Sequence, residues 1–324
     1  TDKATLVTAV AAWIADETGA VASYGVINSW DVSSITDMSE LFKDSAFFNQ
    51  DISAWNVSNV TNMDKMFQNA TFFNQNLSSW DVRQVTNMYC MFQSAEAFNQ
   101  DLSSWNVSQV RTMKCMFQVA KAFNQDLSSW NVSQVTNMDN MFHVAVAFNQ
   151  NISGWNVGEV TTMHSMFRYA AVFNQDISSW DVNKVTNMEN MISFSYAFDQ
   201  DISPWNVGSV TTMESMFTGA SAFNQDISSW NVSVVTTMES MFAGASAFNQ
   251  QLCWNTLGKN TSDMLSGTDG ASIGCPPTSQ PTSSPTVDTS FKRHVKDEVG
   301  GVMNSIKDSI SEMNSRTRSF IKNF

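Results

Sequence analysis

The stretch Ala97–Val110, AFNQDLSSWNVSQV, recurs letter for letter at Ala122–Val135, and a near-copy, AFNQDISSWNVSVV, fills Ala222–Val235. The interval of 25 residues governs most of the chain: tryptophan falls at 30, 55, 80, 105, 130, 155, 180, 205 and 230, with Trp254 one residue early. Self-similarity at a period of roughly 20–50 residues marks a solenoid, a propeller or an array of stacked units. A 25-residue unit is too short for a propeller blade and lacks the paired helices of ankyrin or tetratricopeptide units, so it suits one coil of a solenoid. Identical positions of successive coils would then stack about 4.8 Å apart, the spacing of parallel strands. Repetition of letters follows from that geometry, because each coil is its neighbour's wall.

Within a unit the apolar spacing changes character. Trp80, Val82, Val85 and Met88, mixed with Thr and Asn, predict a short extended piece. Met88, Met91, Phe92, Ala95 and Phe98 follow at intervals that predict a single helical turn. The expected fold class is therefore an α/β repeat solenoid of about nine units, residues 27–264, with short parallel strands and single helical turns. Residues 1–26 read as one capping helix, with Leu6, Val10, Trp13 and Ile14 turned to the first coil, and residues 265–275 as the closing cap. A Pro/Ser/Thr-rich linker, 276–290, follows. The last stretch, 291–324, is an amphipathic, mildly basic helical tail suited to self-association or to a membrane surface.

The unit V-T-x-M-x-x-M-F-x-x-A-x-x-F-N-Q-x-I-S-x-W-[ND]-V-S, running from Ile27 to Met264, resembles the repeat of the BspA-like leucine-rich-repeat surface proteins. The preceding segment, Ala9 to Met38, resembles the cap that leads into such arrays. The resemblance implies a right-handed coil, export, and protein binding or attachment at a cell surface. It supplies no catalytic residues.

Charge narrows the partners. Residues 1–290 carry 10 Lys/Arg against 26 Asp/Glu, which disfavours a nucleic-acid backbone, whereas 291–324 carry 7 against 4. No run of 18 apolar residues exists, so no transmembrane helix is expected, and a chain beginning at Thr1 fits an export signal already removed. Cys90 and Cys115 hold one position of adjacent units, within disulfide reach when stacked; Cys253 and Cys275 bracket the end of the array. Both pairs are candidate disulfides, and a secreted or cell-surface setting is the expectation.

Candidate chemistry is sparse. Asp51, Asp101, Asp126, Asp176, Asp201 and Asp226 share one position, where stacked carboxylates would raise each other's pKa or gather calcium. The favoured alternative is that each caps its own turn, since Asn76 and Asn151 fill gaps in the same row. Thr61, Thr86, Thr136, Thr161, Thr186, Thr211 and Thr236 form a second row, broken by Arg111, that could face protein, glycan or ice. The two Met positions of the unit, which hold 17 of the 20 methionines, read as core rather than as a soft-metal site. The template is broken in the middle units by Arg83, Arg111, Lys114, Lys121, His143, Arg168 and Tyr169, the expected partner-contact band. Only three histidines occur, at unrelated unit positions, and no nucleophile–base set is visible, so no enzyme, cofactor or metal site is expected. The expected function is a non-catalytic recognition or adhesion module for protein or glycan. Alternatives are a structural rod forming a layer or filament and, less favoured, a ladder that binds cations or ice.

Overall fold

The structure, a computed structural model, describes residues 2–274. The linker 276–290, the tail 291–324 and Cys275 lie outside the described residues.

The chain opens on two helices, not one: α1 (Lys3–Ala15) and α2 (Glu17–Tyr24). Asp2 caps α1 by accepting from the Thr5 N–H at 2.8 Å, and Asp16 breaks the run with extended backbone at φ −154°. Leu6, Ala9, Val10 and Trp13 are buried against the first unit, where Trp13 meets Trp30 edge to face at 5.7 Å. Ile14 does not join that face. It lies one step round the helix, beside Val7, and both are exposed. Lys3 ties α1 to the array through Asp37 at 2.8 Å and the Ser39 hydroxyl at 2.6 Å.

From Ile27 onward the 25-residue units stack in register. Trp130, Trp155 and Trp180 lie in file, with ring centroids 6.5 and 6.4 Å apart and planes 4° and 3° from parallel. From Trp55 to Trp230 each indole N–H donates to a main-chain carbonyl of the preceding unit, as Trp130 does to Leu127's counterpart Leu102 at 3.0 Å. A phenylalanine column runs beside them, with Phe92–Phe117 at 5.8 Å and Phe117–Phe142 at 5.7 Å; Met88, Met91 and their counterparts are fully buried. The Asn column is equally regular. Asn124 Oδ1 accepts from the Asn149 N–H and from Gln150 Nε2 of the next unit, at 2.9 and 3.0 Å. Only the acceptor oxygen serves this purpose, which explains why Asp199 can replace Asn: its Oδ1 takes the Asn224 and Gln225 donors at 2.9 and 2.8 Å.

The units contain neither the expected strand nor the expected helical turn. Parallel pairing shrinks to one residue per unit, Asn62 to Asn87 to Thr112 and onward to Asn260, because a turn closed by Val60 N–H on the Val57 carbonyl leads straight into it. A two-stranded parallel pair appears in the last unit alone among the described residues: β1 (Gln251–Leu252) with β2 (Ser272–Ile273). Where a helical turn was expected, the backbone makes linked turns. The N–H groups of Met63, Lys65, Phe67 and Asn69 donate to the carbonyls of Asn87, Tyr89, Met91 and Gln93 in the next unit, at 3.0, 2.8, 2.9 and 2.8 Å. Within the unit, Met66, Gln68 and Ala70 close back on Met63, Lys65 and Phe67. This arrangement requires left-handed backbone at two positions per unit, as at Lys65 (φ 52°) and Asn69 (φ 59°). The positions accept even Val119, Val144, Tyr169 and Phe194 there. Left-handed backbone disfavours such side chains, so the four inter-unit hydrogen bonds must outweigh that preference.

Candidate functional site

The polar rows facing outward are mostly occupied with their own scaffold. Asp51, Asp101, Asp126, Asp176, Asp201 and Asp226 each accept from the N–H of the serine two residues on, at 2.8 to 2.9 Å. Hydrogen bonds from the Ser53 and Ser103 backbone hold Asp51 and Asp101 below the usual carboxylate range, and those from Ser178 and Ser228 do the same for Asp176 and Asp226. At these four residues the turn bonds outweigh repulsion along the row, in keeping with the favoured expectation that each Asp caps its own turn. Thr61, Thr86, Thr161, Thr186, Thr211 and Thr236 are exposed, but their hydroxyls donate to the carbonyl of the threonine one unit back, at 3.0 to 3.2 Å. Among the described residues no group of three or more His, Cys, Asp or Glu side chains is placed to hold a metal ion.

The basic band does not converge as a whole. Arg83 pairs with Asp81 at 3.0 Å, Lys114 with Asp139 at 3.6 Å and Lys121 with Glu96 at 3.0 Å, at different points of the unit. Arg111 stands exposed in the threonine row. His143, Arg168 and Tyr169 do come together. A chain of amides, Gln68 to Gln93 to Gln118, runs up one column and ends where Gln118 Nε2 meets His143 Nδ1 at 3.0 Å. Arg168 and Ser193 occupy the next two steps of that column. The Arg168 guanidinium sits 5.1 Å from the centre of the Tyr169 ring, which stacks on Phe194 at 4.7 Å with planes 4° apart. No carboxylate of the described residues pairs with Arg168, and its buried Nε has no hydrogen-bond partner; nor has the buried Ser193 hydroxyl.

Ser193 and Phe194 were not singled out from the sequence. The signal was present: residues 191–196 read MISFSY, where the template has a Met-Phe pair followed by small or polar residues. Ile192 takes the Phe column's place, and the Ser195 hydroxyl, replacing Ala, reaches back to the Phe167 carbonyl at 2.6 Å.

One family matches the array, described as "Mycoplasma protein of unknown function, DUF285", over residues 16–128, 103–197 and 175–273. The three matches overlap, as they must where one unit repeats in a fixed phase, and together they cover well over half of the chain. The chain belongs to this DUF285 family. No curated protein matches it. The three overlapping matches support the repeat character of the array, and the description names no ligand. Among the described residues of this DUF285 chain no helix is long and apolar enough to cross a membrane.

Cys90 and Cys115 of the DUF285 array are buried thiols at the same position of adjacent units. Cys253 is exposed; Cys275, its expected partner, lies outside the described residues.

His143 couples the site to pH. Burial, with the charges of Arg168 and His164 beside it, pushes its pKa down from 6.5 to about 4. A base whose pKa falls on folding binds its proton more readily in the unfolded chain. The stabilisation is therefore complete above pH 6.5 and is lost as pH falls through the folded value near 4. His143→Gln, which restores the amide of the column, should remove this dependence. The variant is expected to gain about 1–2 kcal/mol over the parent at pH 5, with no comparable gain at pH 8, in urea melts at both pH values. An equal difference at the two pH values would show that His143 titrates as in an unfolded peptide.

Proposed function

We propose that this chain is a non-catalytic recognition or adhesion module, secreted or held at a cell surface, that meets a protein or glycan along the turn face of its array. We further infer that the array is a BspA-like, leucine-rich-repeat-type right-handed coil, a reading supported by the unit motif. The observation carrying the function is where chemical variety sits. The Trp, Phe, Met and Asn columns that stack in the core or bond unit to unit hold nearly one residue type, with Ile192 and Asp199 among the few departures. The turn face instead carries Tyr89, Lys114, His143, Arg168, Tyr169 and Phe194 at its two most variable positions and beside them. Variety at positions that the repeated core columns do not require is available for specificity. Arg168, a cation that no carboxylate of the described residues pairs in an acidic body, is the anchor, and an acidic group is the chemistry it would take. Contacts repeated along several units would add avidity to a weak single contact.

The test is a protein and glycan binding array with the full chain, followed by Arg168→Glu. Affinity for the selected ligand should fall about tenfold or more, by loss of one charge-assisted contact and gain of a repulsion. Lys184→Glu, on another face and already paired with Glu159 at 2.7 Å, should change it little. Equal losses in the two variants would reduce the effect to net charge and overturn the assignment of the face.

A second reading, a structural element that assembles end to end into a layer or filament, is favoured by one observation. The N–H groups of Thr261, Asp263, Leu265 and Gly267 occupy the positions that donate to the next unit elsewhere, and they have no acceptor among the described residues. An unpaired edge of that kind invites another chain. Growth of particle size with concentration in light scattering would favour it over the first reading.

A further inference from the structure

The thiols of Cys90 and Cys115 are not accounted for by recognition or by packing. Their column is otherwise polar: Glu40, Lys65, Asn140, Ser165, Asn190 and Ser215 hold the same position in other units. Nothing in the stacking therefore asks for sulfur, yet the two cysteines occur on adjacent units and nowhere else in the column. Both residues have left-handed backbone, φ 52° and 58°, and are held in register by hydrogen bonds from the Cys90 N–H to the Lys114 carbonyl and from the Cys115 N–H to the Asp139 carbonyl, at 2.9 and 2.8 Å. The two thiols are neighbours in one column and bias each other's ionisation, and the Tyr89 hydroxyl acts on Cys90 as well. Backbone neighbours in a parallel ladder lie about 4.8 Å apart, inside the span of about 4.4–6.8 Å that a disulfide bridges.

Exposure sets the reagent. Cys90 is 2% exposed and Cys115 7%, so a bulky disulfide reagent has no approach and only a small oxidant such as a peroxide is a candidate. Cys90 is the better nucleophile, because Cys115 and Tyr89 beside it favour its thiolate, and the same pairing pushes the Cys115 thiol up.

We propose that Cys90 and Cys115 form an oxidation site in which a peroxide joins two neighbouring units of the array by a disulfide. The Cys90 thiolate attacks a peroxide oxygen, the O–O bond breaks, and protonation of the departing oxygen leaves water and a sulfenic acid. The Cys115 sulfur then attacks the Cys90 sulfur. The S–O bond breaks, the Cys115 proton leaves with the hydroxide, and a second water forms. In sum, two thiols are oxidised by two electrons and one hydrogen peroxide is reduced to two waters.

The full chain, treated with hydrogen peroxide, then unfolded, alkylated and digested with trypsin, provides the test. Peptide 84–111 should appear joined to peptide 115–121, lighter by two hydrogens than their sum and separated by dithiothreitol. The crosslink closes a loop of about 25 residues and should raise Tm by roughly 5–10 °C. Cys115→Ser should lose the crosslink and the shift, and should leave Cys90 as a sulfenic acid that dimedone traps. Recovery of both cysteines as alkylated thiols after peroxide would overturn the proposal. So would a crosslink confined to Cys253, or direct passage of Cys90 to the sulfinic acid without a joined peptide. The peptide map is read on the parent chain, so it decides the matter even where Cys115→Ser fails to fold.

Discussion

Phe142→Ala should lower the stability of the array by about 4 kcal/mol and split its unfolding into two steps. The ring is fully buried and packs on Phe148 at 3.9 Å, Phe117 and Phe167 at 5.7 Å and Trp155 at 6.3 Å. Removing it opens a cavity that cannot collapse, because the hydrogen bonds from Phe117 N–H to the Met141 carbonyl and from Phe142 N–H to the Met166 carbonyl hold the units at fixed spacing. Since units touch only their neighbours, the loss falls on two interfaces near the middle of the stack, and the segments on either side should melt apart. Phe142→Ile is the control. Ile192 already stands in this column between Phe167 and Phe217, so a branched aliphatic side chain fits the spacing, and a cost nearer 1–2 kcal/mol is expected. Urea melts followed by tryptophan fluorescence, with hydrogen exchange mapped along the chain, separate the outcomes. A single transition with protection lost evenly from both ends would contradict neighbour-only coupling.

What the sequence displays is identity at a fixed interval, and identity is enough to say which side chains lie in file. The Trp, Phe, Met and Asn columns could all be drawn up from the 25-residue period, because each is a row of one residue type meeting itself. The path of the backbone between those columns was not legible. Met88, Met91, Phe92, Ala95 and Phe98 have the spacing of a helical face, but two linked turns with a left-handed residue in each place the same side chains inward. Local propensity could not reveal this, since Cys90, Val119, Val144 and Tyr169 are poor choices for left-handed backbone. Inter-unit hydrogen bonds impose the conformation, and they are visible only when two units are seen together. The Asp row was legible as a row of turn caps, because Asn76 and Asn151 stand in for Asp there. A side chain two bonds from its own turn finds the Ser N–H before it feels the next carboxylate. The candidate site was half legible. His143, Arg168 and Tyr169 stand out as charged or aromatic departures from the template, whereas Phe194 and Ser193 pass for core and turn residues until the column is stacked.

Gly219→Ala should cost about 2–4 kcal/mol, most of it through one ring. Gly219 occupies the same left-handed position as Tyr169 and Phe194, at φ 67°, and a Cβ built there would lie 2.4 Å from Phe194 Cδ1 and 2.6 Å from Cε1. Left-handed backbone alone does not forbid a side chain, because Val119 and Val144 sit in the same column with φ 59° and 58°. It contributes about 1 kcal/mol, and the overlap with the ring contributes the remainder. Phe194 cannot retreat without leaving Tyr169, on which it stacks, and Tyr169 in turn carries the Arg168 guanidinium. The glycine is thus a condition of the aromatic step beside the candidate site. A double-mutant cycle with Phe194→Ala tests this. With the ring gone, Gly219→Ala should cost only the backbone share, and the coupling energy should be about 1–3 kcal/mol. Additive costs would mean that the ring moves aside freely and that Gly219 is present for its backbone alone. Affinity for the ligand selected in the binding array should fall with Gly219→Ala, although that residue lies one unit beyond Phe194, because displacing Phe194 removes the support under Tyr169 and Arg168.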